Sequence, residues 1–155
     1  MTRKTMILLA ASGSAALLLG AFAFQFIGGL PPCKLCLWQR WPHAVAFLIG
    51  LMLLAGIGPR FMAWLGALAT ATTGAIGFYH AGVEWLWWPG PTSCSGGGMD
   101  LGSMGGGALL SLDTPSGVIM CDEIVWQFFG LSMAGWNAVF ALILTALWIR
   151  AAKRA

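Results

Sequence analysis

Residues 41–79 read WPHAVAFLIGLMLLAGIGPRFMAWLGALATATTGAIGFY, two apolar runs interrupted once, at Gly56-Ile57-Gly58-Pro59-Arg60. Proline cannot continue a helical hydrogen-bond ladder and glycine loosens the backbone beside it, so the break predicts a tight turn. Trp41–Ile57 and Phe61–Tyr79 then form a helical hairpin, and each run approaches the roughly 20 apolar residues that cross a hydrocarbon core. Outward from the hairpin lie two more such runs, Met6–Ile27 before it and Phe128–Ile149 after it. Hydrophobic residues make up 59% of the chain and charged residues 8%, far from the roughly one-quarter charged composition of soluble domains. The expectation is an all-α, polytopic membrane four-helix bundle, a single integral domain over residues 1–155. Its longer connections are residues 28–40 and 80–127.

Basic residues near helix ends are retained on the cytoplasmic side, which sets the orientation. Arg3 and Lys4 precede the first run, Arg60 sits in the hairpin, and Arg150, Lys153 and Arg154 follow the last run. Both termini and the hairpin are therefore expected in the cytoplasm. Lys34, Arg40 and all the acids, Glu84, Asp100, Asp113, Asp122 and Glu123, fall opposite. The net charge of +3 reflects these retention signals and points to no nucleic-acid function. The first run imitates a signal peptide through Arg3-Lys4 and Ala21-Phe22-Ala23, but it continues past the would-be cleavage site, so a retained helix is expected. Trp38, Trp41, Trp85, Trp87, Trp88 and Trp126 outside, with Trp148 inside, read as interfacial anchors. Gly74 and Gly77 suit close helix approach.

Four cysteines remain, all outside the apolar runs: Cys33 and Cys36 in one loop, Cys94 and Cys121 in the other. The orientation puts both loops on the same exoplasmic side, in an oxidising compartment, where two pairs can trade electrons by thiol–disulfide exchange. Alone, Cys94 and Cys121 would staple a loop rich in glycine at 96–98 and 105–107. The C-x-x-C at Cys33 and Cys36 favours exchange over permanence. A zinc site would repeat the short spacing in both halves, and c-type haem attachment would place His after Cys36 where Leu37 stands. No metal is expected.

Pro31-Pro32 suit a helix beginning at or just after Pro32. If it runs into the second span, Cys33, Cys36, Arg40 and His43 share one face, although Pro42 would kink or restart it. The helix N-terminus and Arg40 would then stabilise a thiolate at Cys36. Arg40 by itself reads as a snorkelling anchor, and His80 as an interfacial histidine bonded to Glu84. Both end at similar depth and so can address one amphipathic ligand, with Gln39 and His43 as weaker candidates of the same kind.

The stretch Pro32-Cys33-Lys34-Leu35-Cys36-Leu37-Trp38-Gln39-Arg40 resembles the DsbB family of membrane quinone-dependent disulfide oxidases. Tyr79-His80, Pro91-Thr92-Ser93-Cys94, and Cys121-Asp122-Glu123 leading through Phe129-Gly130-Leu131-Ser132-Met133 to Trp136 extend the likeness along most of the chain. The resemblance implies a bacterial inner-membrane oxidoreductase that reoxidises a periplasmic DsbA-type thioredoxin-fold oxidase and passes the electrons to ubiquinone or menaquinone. By position, Cys94 would form the mixed disulfide with the partner and Cys121 would be its companion. Cys33 would exchange with that pair, Cys36 would face the quinone as a thiolate, and Arg40 and His80 would contact the quinone. The glycine-rich stretch before Cys121 departs from the family pattern, with only Ala108-Leu109-Leu110 and Leu112 to suggest an amphipathic segment. A vitamin K epoxide reductase-like oxidase would place its C-x-x-C after the loop cysteines, the reverse of this order. A disulfide-stapled scaffold is the non-enzymatic alternative.

Overall fold

The computed structural model describes residues 1–59, 61–91, 94 and 120–154. Arg60, the glycine runs at 96–98 and 105–107, Ala108–Leu112, Thr92-Ser93, Asp100 and Asp113 lie outside the described residues. Four helices dominate: α1 Arg3–Phe26, α2 Lys34–Leu54, α3 Met62–Glu84 and α4 Met133–Lys153. Each packs against its neighbours in sequence, and α4 closes the ring against α1. Arg3 Nε donates to the Ala151 carbonyl and Arg154 Nη1 to that of Met1, so both termini meet at one end of the bundle. The α2–α3 turn must lie at that same end, and the cysteines at the other.

The bundle is inverted relative to a soluble one. Along α3 the buried positions are small, Ala63, Gly66, Ala67, Thr70, Thr73, Gly74 and Gly77, whereas Trp64, Leu65, Leu68 and Phe78 are exposed. Lipid offers apolar side chains no reason to turn inward, so close packing of small residues holds such helices together. By length and composition, α1 and α4 pass as membrane-crossing helices.

Cys33 is the N-cap of α2, its side chain accepting from the Cys36 backbone N–H, and the helix runs through Pro42 without ending. Two expectations need correction. The final helix starts at Met133 and not at 128: Gln127–Phe128 pairs with Leu131–Ser132 in a two-strand hairpin, β1 and β2. Phe129 and Gly130 both have positive φ, 48° and 78°, the backbone of a two-residue type I′ turn that helix-forming dihedrals exclude. Ser132 then caps α4 by accepting from Gly135 N–H. Trp148 is not an interfacial anchor, since it is fully buried among Met6, Ile7, Ile49, Ala63 and Ala67 at the terminal end of the bundle.

Candidate functional site

At the opposite end, Cys33, Cys94, Cys121, Leu35 and Val83 form a second buried cluster with Cys36 packed against it. Cys94 and Cys121 are joined in a disulfide across 27 residues, while Cys33 and Cys36 are free. The Cys33 sulfur lies within 4.8 Å of both bridged sulfurs. A third sulfur at that range, beside an intact disulfide, is the arrangement thiol–disulfide exchange requires. Cys36 does not share this proximity.

Three groups converge on Cys33 Sγ: the Cys36 thiol at 2.9 Å, the Cys36 backbone N–H at 3.2 Å, and His80 Nε2 at 3.5 Å. The Cys36 thiol is the largest influence, and with His80 it outweighs desolvation to bring the Cys33 pKa down to about 4 from an ordinary 9.0. Cys36 is pushed upward, first by its bond to Cys33 and then by burial, and so keeps its proton. The helix N-terminus was expected to serve Cys36; in this structure its backbone N–H addresses Cys33, because Cys33 is the cap. Arg40 Nη1 donates to Gln25 Oε1 at 2.6 Å and Nη2 to the Ala21 carbonyl at 3.3 Å, with the guanidinium over the Phe22 ring.

A hydrogen-bonded chain of amides ties the cysteine end to the bundle interior. Asn137 Nδ2 faces three acceptors, Gln39 Oε1 at 2.8 Å, Thr73 Oγ1 at 3.2 Å and the Thr73 carbonyl at 3.3 Å. Thr73 in turn donates to the Gln39 carbonyl. Gln39 Oε1 is therefore an acceptor, and Gln39 Nε2 donates to the Leu35 carbonyl and to His80 Nδ1. That assigns the His80 proton to Nε2, facing Cys33. Glu84 Oε1 stands 3.8 Å from the same nitrogen, the expected pairing but at longer range than Cys33. Burial pushes the Glu84 carboxyl up, against the opposing effects of Ser132 and His80.

Cys33, Cys36, Gln39, Arg40, His43, His80 and Glu84 all border one cavity of about 420 Å³, whose remaining wall is mainly apolar, with Leu17, Phe24, Trp126, Trp136 and Phe140 among it. The size suits a small amphipathic ligand. Arg40 Nε and His43 Nδ1 are buried in its lining residues without hydrogen-bond partners. An orphaned donor, Arg40 Nε, in an apolar cleft fits a ring oxygen of a quinone. The Cys33, Cys36 and His80 donor atoms also lie within 4.8 Å of one another, close enough to share a metal; what links the two sulfurs here is a hydrogen bond.

The structure thus brings Cys33, Cys36, Cys94, Cys121, Arg40 and His80 to one end of the bundle, and the single face shared by Cys33, Cys36, Arg40 and His43 survives Pro42. Asn137 and Thr73 escaped the sequence reading. The signal was present for Asn137, an amide inside the apolar run Phe128–Ile149, because polar residues at such depth are bonded or functional.

A sequence profile described as Disulfide bond formation protein DsbB matches residues 3–151. Disulfide bond formation protein B of Paracidovorax citrulli (strain AAC00-1) is 33% identical, the match covering 99% of this chain and 90% of the relative. That of Verminephrobacter eiseniae (strain EF01-2) is 33% identical over the same shares. The Methylococcus capsulatus protein of that description is 34% identical over 92% of this chain and 90% of its own. No solved structure matches. With a bundle apolar on its outside, a buried disulfide facing a free C-x-x-C, and this likeness across nearly its whole length, the chain belongs to the DsbB family of membrane disulfide bond formation proteins.

Proposed function

We propose that the protein is a quinone-dependent thiol oxidase of the bacterial inner membrane, which reoxidises a DsbA-type thioredoxin-fold partner in the periplasm. The observation that carries this reading is the position of Cys33, within 4.8 Å of the Cys94–Cys121 bridge and at the wall of the apolar cavity. The basic residues at the termini orient the opposite, cysteine-bearing end toward the periplasm.

Each exchange moves two electrons and two protons. A partner thiolate attacks Cys94 and breaks the Cys94–Cys121 bond, releasing Cys121; the partner's second thiol then resolves the mixed disulfide and leaves oxidised. Cys121 attacks Cys33 of an oxidised Cys33–Cys36 pair, expelling Cys36 as a thiolate. In that state Cys36 has lost its bond to Cys33, and Arg40, one turn along the helix and bordering the same cavity, is the cation placed to stabilise it. Cys94 then takes Cys121 back, which leaves the loop pair bridged and the helix pair reduced. This is the cysteine pattern of the structure. Arg40 and His80 would hold a quinone in the cavity, where it supplies a two-electron, two-proton acceptor for the Cys33–Cys36 dithiol. The Cys33–Cys36 bond re-forms, and the two protons leave the thiols with the electrons.

The test is oxidation of a reduced DsbA-type protein by the purified protein with a short-tailed ubiquinone, following partner thiols and quinone absorbance together. One quinone should be consumed per partner disulfide formed, and Cys36→Ser or Cys94→Ser should stop turnover. Full activity in either variant overturns the proposal.

A further inference from the structure

His43 is 3% exposed, and its two ring nitrogens are treated differently. Nε2 lies 2.8 Å from Asn137 Oδ1. Because Asn137 Nδ2 already faces Gln39 Oε1 and Thr73, the Asn137 oxygen is fixed toward His43, and an oxygen can only accept. Nε2 therefore carries the hydrogen. A neutral imidazole has one donor and one acceptor nitrogen, so Nδ1 holds a lone pair, and it is buried without a partner in a residue of the cavity wall. Such an atom, buried at an apolar cleft, calls for a donor from a ligand. On the same helix face, three residues away, Arg40 Nε is buried and unpartnered with the opposite polarity: it can only donate.

We propose that His43 is a specificity-determining residue of this cavity, whose Nδ1 accepts a hydrogen bond from a hydroxyl of the hydroquinone and has no counterpart bond to offer the quinone. This inference rests on the quinone reading above and deepens it. A quinone presents only acceptors, which Arg40 can serve and His43 cannot. A hydroquinone presents hydroxyl hydrogens, one of which satisfies Nδ1. The site thus discriminates between the two redox forms of one ligand through Asn137, a positioning residue that sets the tautomer. The amides of Asn137 and Gln39 act by orientation: they aim the His80 hydrogen at Cys33 and the His43 lone pair toward the ligand.

The test is equilibrium binding in lipid nanodiscs, in a Cys33→Ala/Cys36→Ala background in which no electrons exchange with the ligand. A short-tailed ubiquinone and its hydroquinone are titrated separately, following quenching of tryptophan fluorescence, since Trp126 and Trp136 line the cavity. His43→Leu should weaken hydroquinone binding about tenfold, as expected for one lost hydrogen bond of about 1.4 kcal/mol, and change quinone binding by less than about twofold. His43→Gln, whose side-chain oxygen can accept, should restore most of the hydroquinone affinity. Equal losses for both forms would reduce His43 to packing, a larger loss for the quinone would make it a donor, and no loss would remove it from the site; each overturns the proposal. A measurement without substitutions stands beside these: in protein carrying 15N-labelled histidine, hydroquinone should shift the His43 Nδ1 resonance and quinone should not. If both probes bind but His43 is indifferent, only this inference fails. If neither probe binds the His43-containing protein, the quinone reading fails with it.

Discussion

Toward α3 and α4, helix α2 presents Gln39 to a fully paired set of groups, Thr73, Asn137, Leu35 and His80. Toward α1, the same helix borders an apolar cavity with Arg40 Nε and His43 Nδ1 left unpaired. One side is closed by small residues and satisfied amides, the other is open. In a lipid-embedded interior water is not at hand to repair a missing bond, so unpaired atoms are costly, and two of them bordering one cavity mark where a ligand belongs. The closed side determines what the open side offers. His80 is aimed at Cys33 by the amide of Gln39 and His43 is oriented by that of Asn137.

The sharpest way to break this division is at Cys33, where the two sides meet. Cys33→Ala should reduce quinone-linked turnover to background while leaving Cys94–Cys121 bridged, which alkylation followed by mass measurement would show as no label on either loop cysteine. Turnover close to that of the unaltered protein would mean that electrons bypass the helix pair.

His80→Asn attacks the closed side's hold on the thiolate. The Cys33 pKa is lowered, so the reduced pair is stabilised as thiolate; the effect is complete above the ordinary thiol value of 9.0, diminishes as pH falls, and is lost below about 4. Relative to an ordinary dithiol, the Cys33–Cys36 disulfide is correspondingly more oxidising at neutral than at strongly acid pH. Removing the His80 bond should raise the midpoint of Cys33 alkylation by about one to two pH units, since a hydrogen bond to a charged group contributes about 1.5–3 kcal/mol and one pH unit is about 1.4. An unchanged midpoint would show that the Cys36 thiol and amide suffice.

The two sides were unequally legible in the sequence. The four helices followed from apolar runs and one Pro-Gly break, and the redox C-x-x-C, Arg40 and His80 were singled out from spacing and depth. Local chemistry carries these, so sequence shows them. The start of α4 was misplaced because Phe129 reads as apolar helix, while the positive φ it shares with Gly130 is a turn property that hydropathy does not register. The closed side was largely hidden, because Gln39, Thr73 and Asn137 come from three helices and acquire meaning only as they meet. The helix N-terminus addresses Cys33 and not Cys36 for a similar reason, since the identity of the cap depends on the residue at which the helix begins.

The mildest probe of the comparison is the same substitution made on each side. At Gly77, on the closed side, an added Cβ would stand 3.0 Å from both the Ala134 carbonyl and Asn137 Nδ2. Gly77→Ala must therefore spread α3 from α4 and should destabilise the bundle by about 1–3 kcal/mol, the usual range for overpacking. Gly20 on α1 borders the cavity, and a Cβ there meets nothing within 4 Å. Gly20→Ala should be neutral or stabilising by up to about 1 kcal/mol, because alanine loses less backbone freedom in a helix than glycine does. Reversible unfolding in mixed detergent micelles measures both. Opposite signs follow from one side being packed against backbone and the other being open, whereas equal destabilisation would mean that α1 closes onto the cavity and that the unpaired atoms of Arg40 and His43 find protein partners there.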